Sequence, residues 1–320
     1  MGSYDSEIAY EVPPYLRVYK DGTVERFVGN GVTPAGFDPV TGVSSKDVVA
    51  IPETGVIARL YRPASLTEKT QKLPLVIYFH AGAFCISSAF DPKCQTTLNL
   101  LASKANIIAV SVNYRKVPEA PLPAAYEDSW AVIQWVFSHN LGEGCEEWLR
   151  ENVDFSKVIL AGDSAGANIA HHMAIRAGIS HRKCGIKFRG IIIRHPYFWG
   201  EESIGVEAKD PVKKAMVDKW WKFACPSDKG CDDPLINPFL DEKFGEALDC
   251  DRVIVFVAEN DVLVERGRRY YELLVKSRWQ GTAEMVETPG EDHVFHLFHP
   301  NTEKARSVTK RCVAFINQIQ

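Results

Sequence analysis

Residues 160–168, Leu-Ala-Gly-Asp-Ser-Ala-Gly-Ala-Asn, constrain this chain more than any other stretch. The apolar run Val158-Ile159-Leu160 leads in, and a helical pattern over 169–177 leads out. Gly162-x-Ser164-x-Gly166 between a predicted strand and a predicted helix reads as a nucleophile elbow. Such a turn is too tight for large side chains two residues either side of the serine, which favours glycine there. Ser164 is then pushed out at the end of the strand, and the backbone N–H of Ala165 points the same way. The plain alternative is a strand-to-helix turn that happens to contain a serine.

The chain has 320 residues, enough for one large α/β domain with an ample core. Its net charge of −4 gives no electrostatic case for nucleic acid or an anionic membrane surface. No run of about 18 apolar residues is present, so no membrane span is expected. Met1-Gly2-Ser3-Tyr4-Asp5-Ser6 lacks the basic start and apolar core of a secretory signal. It fits the loose myristoylation pattern at Gly2, but Asp5 and the lack of a following basic cluster weigh against acylation. The eight cysteines contain no Cys-x-x-Cys pair, and Cys85, Cys184 and Cys312 lie in apolar segments. They read as reduced, buried thiols, and a cytoplasmic location follows.

Apolar runs at 75–79, 107–112, 157–160, 190–193, 253–258 and 283–288 read as strands. Helical patterns fall between or after them at 97–104, 123–139, 169–177, 265–277 and 302–316. Shorter strand-like segments stand at 15–19, 24–27, 48–51 and 56–62. This alternation predicts an α/β fold over 1–320: one domain, a mostly parallel central sheet and helices on both faces. The interval 198–250 breaks the rhythm. It carries Trp199, Trp220, Trp221, Phe223 and Phe239 without a buried strand. Together with 1–45 it is expected to form a helical cap over the sheet's C-terminal edge, where ligands bind in open α/β sheets.

A serine hydroxyl needs a base to take its proton, usually a histidine oriented by a carboxylate. In this fold the chain order is serine, then acid, then histidine. Asp261 directly follows the 253–258 strand and is preferred to Glu259, which lies nearer the strand. His293 follows the last strand and is preferred to His296 and His299. The small-residue loop His80-Ala81-Gly82-Ala83-Phe84 follows the 75–79 strand. Its Gly82 and Ala83 N–H groups, with that of Ala165, are the candidate oxyanion donors. His171-His172 lacks the glutamate spacing of a metalloprotease helix, and no strand is followed by a phosphate-binding glycine motif. No metal and no cofactor is therefore expected.

The His80–Phe84 loop, the run Tyr114-Arg115-Lys116-Val117-Pro118-Glu119-Ala120-Pro121-Leu122-Pro123-Ala124-Ala125-Tyr126-Glu127-Asp128, Gly162-Asp163-Ser164-Ala165-Gly166 and Glu291-Asp292-His293 together resemble plant carboxylesterases of the hormone-sensitive-lipase-like group. The resemblance implies an α/β-hydrolase fold, hydrolysis of a small carboxylic ester and no cofactor. It also implies Ser164, Asp261 and His293 as triad, and the loop from His80 as oxyanion hole. Ala81 and Ala83 depart from the family's usual His-Gly-Gly-Gly, and their methyl groups bear on the acyl site's width and the donors' angles. The chain also resembles three other users of this scaffold. Gibberellin receptors lack the triad histidine, which is present here. Hydroxyisoflavanone dehydratases run an elimination, several with threonine where this chain has Ser164. Cyclases of indole alkaloid assembly vary the glycine loop. Ester hydrolysis is the leading expectation, and elimination or cyclisation with the same residues is the alternative.

Overall fold

The computed structural model describes residues 7–65 and 72–318, with the backbone alone for 181–184. Acylation at Gly2 and burial of Cys184 fall outside the described residues.

Strands β1 (Ile8–Val12), β2 (Leu16–Tyr19) and β3 (Val24–Arg26) form a small antiparallel sheet. The central sheet holds β4 (Phe37–Asp38), β5 (Val43–Ile51), β6 (Val56–Pro63), β7 (Leu73–Phe79), β8 (Ile108–Asn113), β9 (Val153–Asp163), β10 (Phe188–Arg194), β11 (Cys250–Ala258) and β12 (Thr282–Thr288). Its order is β12-β11-β10-β9-β7-β8-β6-β5-β4. The run from β12 to β8 is parallel, and β6, β5 and β4 add antiparallel pairings at one edge. The fold is the expected mostly parallel α/β sheet. Because β8 and β9 flank β7 on opposite sides, the chain leaves β7 and β9 in opposite directions. That reversal opens a crevice beyond their C-terminal ends.

The helices are α1 (Pro92–Ala105), α2 (Ala124–Ser138), α3 (Glu147–Asn152), α4 (Ala165–Cys184), α5 (Pro211–Ala224), α6 (Val264–Lys276), α7 (Phe295–Phe298) and α8 (Glu303–Asn317). Leu75, Ile77 and Phe79 of β7 join the core shared with α2, α4 and α6, whereas Val76 and Tyr78 join the core shared with α1 and α8. Residues alternate faces along a strand, so a strand buried on both sides must be apolar throughout. That is why the 75–79 run shows no polar alternation. Helix α1 starts where Asp91 accepts the Lys93 N–H with Pro92 at the first position, and ends at a left-handed Asn106. Neither α3 nor α7 was expected from the sequence. At 6 and 4 residues they are too short to display a helical period. Among the described residues no helix is long and apolar enough to cross a membrane.

The expected cap divides. Tyr10 of β1 stacks on Phe223 of α5 with ring centres 4.3 Å apart, and Tyr15 meets Trp220 edge-on at 4.7 Å. The Tyr10 hydroxyl also donates to the Lys219 carbonyl at 2.7 Å. The small sheet and α5 thus lean together over the crevice. The rest of the insertion packs elsewhere: the Leu235 carbonyl accepts from Asn168 and His172 of α4 at 2.7 and 2.9 Å. Phe239 and Phe244 pack among Phe198, His171 and Tyr270, beside α4 and α6. At the other end, Phe37–Asp38 and Val43 onward are edge strands of the central sheet, so the N-terminal contribution stops well short of 45.

Helix α4 is seated directly on the end of β7. A Cβ on Gly166 would stand 2.0 Å from the Phe79 carbonyl oxygen, and one on Gly162 would stand 2.2 Å from the Gly166 carbonyl carbon. Backbone atoms on both sides leave no rotamer that relieves either clash. Gly166→Ala should therefore cost about 3 kcal/mol of stability, read from the midpoint of urea unfolding. An unchanged midpoint would show that α4 can slide off β7 freely.

Candidate active site

Ser164 stands between β9 and α4 with φ 54°, the left-handed region. For a residue with a side chain this costs about 1–2 kcal/mol. The turn is held by its neighbours. The Ser164 N–H donates to the Arg194 carbonyl at 2.9 Å, and the Ser164 carbonyl accepts from Tyr197 and Asn168, each at 3.1 Å. The side chain consequently points into a cavity of about 870 Å³ at the crevice, lined also by His293, Ala83, Tyr15 and Trp220.

Two loop ties bring the acid and the histidine together. The Glu259 N–H donates to Thr288 at the end of β12, and the Asn260 N–H donates to Glu291. Asp261, 1% exposed, faces His293 with Oδ2 2.7 Å from Nδ1. His293 Nε2 then lies 2.9 Å from Ser164 Oγ. Asp261 Oδ1 accepts the Leu263 N–H at 2.9 Å, which fixes the carboxylate's orientation. Burial works to raise the Asp261 pKa, but the facing His293 and His195 rings hold it well below the usual carboxylate range. Burial works against the charged form of His293, yet the Asp261 carboxylate outweighs it and the pKa is raised. An ionised Asp261 that accepts at Nδ1 leaves the lone pair of neutral His293 on Nε2, toward the serine.

The rival residues are occupied or remote. Glu259 accepts the Gly290 N–H at 2.7 Å, so it braces the loop of His293. His299 is exposed at the rim of the cavity. His296 is buried under the elbow with Nε2 2.8 Å from Asp163 Oδ1. Asp163 is itself fully buried, and accepts from Tyr78 at 2.5 Å and Arg194 at 2.6 Å. Sequence reasoning missed this cluster. Its signal was present: Asp163 and Arg194 are charged residues at the very ends of apolar strands. His195 was missed in the same way. Its Nδ1 stands between Asp261 Oδ2, 3.4 Å away, and the backbone nitrogen of Val294, 3.3 Å away. Val294 has φ 44°, an unfavourable state for a β-branched residue, and the contact with His195 helps hold the turn that follows His293. His195, Asp261 and His293 present donor atoms within 4.8 Å of one another, a spacing that could suit a metal ion. A cation there would have to break the 2.7 Å bond between Asp261 and His293.

The carbonyls of the loop after β7 are pinned by hydrogen bonds. Tyr114 donates to His80 O at 2.8 Å, and Cys85 and Ile86 N–H groups donate to Gly82 O, each at 2.9 Å. Trp220 donates to Ala83 O at 3.1 Å, Val117 N–H to Phe84 O at 3.0 Å and Arg26 to Cys85 O at 2.6 Å. Gly82, Ala83 and Phe84 all take positive φ, at 121°, 47° and 65°. No acceptor among the described residues takes the N–H of Gly82, Ala83 or Ala165. Ala81 and Ala83 both line the cavity. The His80 side chain does not reach the cavity. It stacks on Tyr114 at 4.0 Å, places Nδ1 2.7 Å from Ala81 O, and is pulled down to about 3 by burial. It therefore shapes the loop as a neutral ring rather than touching a bound group.

A family model described as an alpha/beta hydrolase fold matches residues 76–297. The chain is 50% identical to probable carboxylesterase 2 of Arabidopsis thaliana over the whole of both chains. It belongs to the plant carboxylesterase group of α/β-hydrolases. This carboxylesterase-group chain is also 43% identical to a 2-hydroxyisoflavanone dehydratase of Glycyrrhiza echinata, over 97% of this chain and 96% of that one. Among solved structures, a hyperthermophilic esterase from the archaeon Pyrobaculum calidifontis matches with a TM-score of 0.71 and 25% identity, over 86% of this chain and 85% of that one.

Buried His171 and His296 and part-buried His172 contribute to the acid stability. Burial pulls His172 and His296 down to about 4 and His171 well below its ordinary 6.5. A lowered histidine binds its proton in the unfolded chain first, so stability falls as pH drops from 6.5 toward 4. The melting temperature should decline steadily across that window. A flat profile would show that these rings protonate without unfolding.

Proposed function

We propose that this chain is a serine carboxylesterase that cleaves a small carboxylic ester of a plant metabolite through an acyl-enzyme on Ser164. The observation that carries the reading is the unbroken chain from Asp261 Oδ2 to His293 Nδ1 and from His293 Nε2 to Ser164 Oγ, at 2.7 and 2.9 Å. Ser164 Oγ attacks the ester carbonyl carbon while its proton passes to His293 Nε2. The carbonyl oxygen becomes an oxyanion and is taken by the N–H groups of Gly82, Ala83 and Ala165. The bond to the alcohol oxygen then breaks, and His293 returns the proton to that oxygen. Water repeats the sequence on the acyl-enzyme, releasing the acid and restoring the serine. Asp261 stays ionised throughout and stabilises the imidazolium.

The cap over this site consists of the small N-terminal sheet and α5, with Val28 and Gly29 also lining the cavity, on a single α/β-hydrolase domain. A cytoplasmic setting is supported by the thiols: the seven cysteines of the described residues are all free, and Cys145 among them is exposed rather than buried as expected. Elimination, as the name of the dehydratase relative implies for that protein, would use His293 and the donors but needs no serine nucleophile. The serine hydroxyl aligned on His293 favours hydrolysis.

Ser164→Ala should lose covalent labelling by a fluorophosphonate and on the order of 10⁴ or more in turnover of a chromogenic acetate ester. Labelling undiminished in that variant would end the acyl-enzyme reading.

His293 acts as base only when neutral, so kcat/KM should rise with pH through a value above the ordinary 6.5 and then level off. Asp261→Asn should move that limb to lower pH, because the charge that raises His293 is gone. It should also depress the plateau by roughly 10³–10⁴. A limb that stays in place would mean that Asp261 does not set the histidine's charge.

A further inference from the structure

The oxyanion loop is not held by the central domain alone. The indole of Trp220, on α5, donates to the carbonyl of Ala83 at 3.1 Å. Trp220 is 6% exposed, lies edge-on to Tyr15 of the N-terminal segment and lines the cavity that holds Ser164. The Ala83 N–H, which no acceptor takes among the described residues, is one of the three oxyanion donors of the esterase reading, and Ala83 carries a methyl group at φ 47°, where an L-residue is strained. The carbonyl of Ala83 lies in the peptide plane it shares with Phe84 and the N–H of Ala83 in the plane shared with Gly82, so the two are linked through φ and ψ of Ala83 alone. Once the carbonyl is released, φ as well as ψ is free to relax toward the broad extended or right-handed regions, and the change in φ turns the N–H out of the cavity.

We propose that Trp220 is a positioning residue for ester hydrolysis, its indole N–H holding Ala83 in the left-handed state that aims the Ala83 N–H at the oxyanion. This inference rests on the esterase reading above. Trp220 touches no reacting atom in this role. It acts through the loop, and it makes the docked α5 a condition for a complete oxyanion hole. A substrate or mutation that lifts α5 therefore lowers the rate of the chemical step itself, beyond any effect on substrate binding. A glycine at 83 would carry no left-handed penalty and would need the tie far less. The dependence on Trp220 is in this sense linked to the alanine that stands in the loop.

The test is a double-mutant cycle on the full chain with a chromogenic acetate ester, using Trp220→Phe, Ala83→Gly and the pair. Phenylalanine keeps an aromatic ring in the cavity wall and removes the N–H. In the wild-type background Trp220→Phe should lower kcat about ten-fold, a fraction of the loss from deleting an oxyanion donor outright, with KM changed less than two-fold. The acid limb of the pH profile should stay in place, because the bond from His293 to Asp261 is untouched. In the Ala83→Gly background the same change should cost less than three-fold. Equal losses in the two backgrounds, or a loss confined to KM, would overturn the proposal. If Trp220→Phe alone is too unstable to assay, Ala83→Gly against the pair still decides, a ten-fold loss there being fatal. Failure of the esterase reading is seen separately, as a wild-type protein that neither turns over the ester nor reacts with a fluorophosphonate, and it takes the proposal with it.

Discussion

The contact between the start of α4 and the end of β7 is the constraint on which the rest depends. Gly166 lies against the Phe79 carbonyl, and Gly162 against Gly166, with no room for a methyl group at either place. This closeness lets the chain reverse within one residue, and that residue is Ser164 in the left-handed region. A looser turn would leave the serine along the strand axis, buried in the sheet. The unfavourable torsion persists because Arg194, Tyr197 and Asn168 grip the Ser164 backbone on both sides. Strain at the nucleophile is thus balanced by backbone hydrogen bonds with Arg194, Tyr197 and Asn168, none of which touches a reacting atom.

Beneath the turn lies a second dependence. Asp163 is buried with Arg194, Tyr78 and His296, and the Arg194 guanidinium and His296 hold its carboxyl well below the usual range against the pull of burial. An ionised carboxylate in such a place is tolerable only with its partners in position, and removing one leaves a buried charge unpaired. The cluster ties β7, β9, β10 and α7 together under the serine. One residue on, the reactive chain to His293 and Asp261 opens into the cavity. The two neighbouring aspartates, Asp163 and Asp261, thus divide the work. One fixes the turn, and the other fixes the histidine.

The cavity roof follows the same logic of borrowed support. The loop from His80 to Phe84 exposes N–H groups because each of its carbonyls is taken by something else, including Trp220 from α5, and Arg26 from β3 takes that of Cys85. The loop after β7 is therefore tied to α5 and β3 as well as to the central sheet. Ala81 and Ala83 line the cavity on the loop side, while the roof contributes aromatic surface from Tyr15 and Trp220.

Much of the fold and of the candidate site was legible in the chain. The 75–79 and 253–258 runs show burial on both faces directly, since no polar residue interrupts them. Gly162 and Gly166 around Ser164 mark a turn that only glycine permits, and Asp261 and His293 stand at strand ends where a sheet presents its loops. These are local signals, fixed by sterics within a few residues. What joined them was decided only by the tertiary structure. The division of the cap between a roof and a side packing, the turning of His80 away from the cavity, and the bonds from Asp163 to His296 and from Trp220 to Ala83 all link residues far apart in sequence. No local propensity encodes such contacts. They depend on which strand order the sheet adopts and on which buried polar groups must find one another once water is excluded.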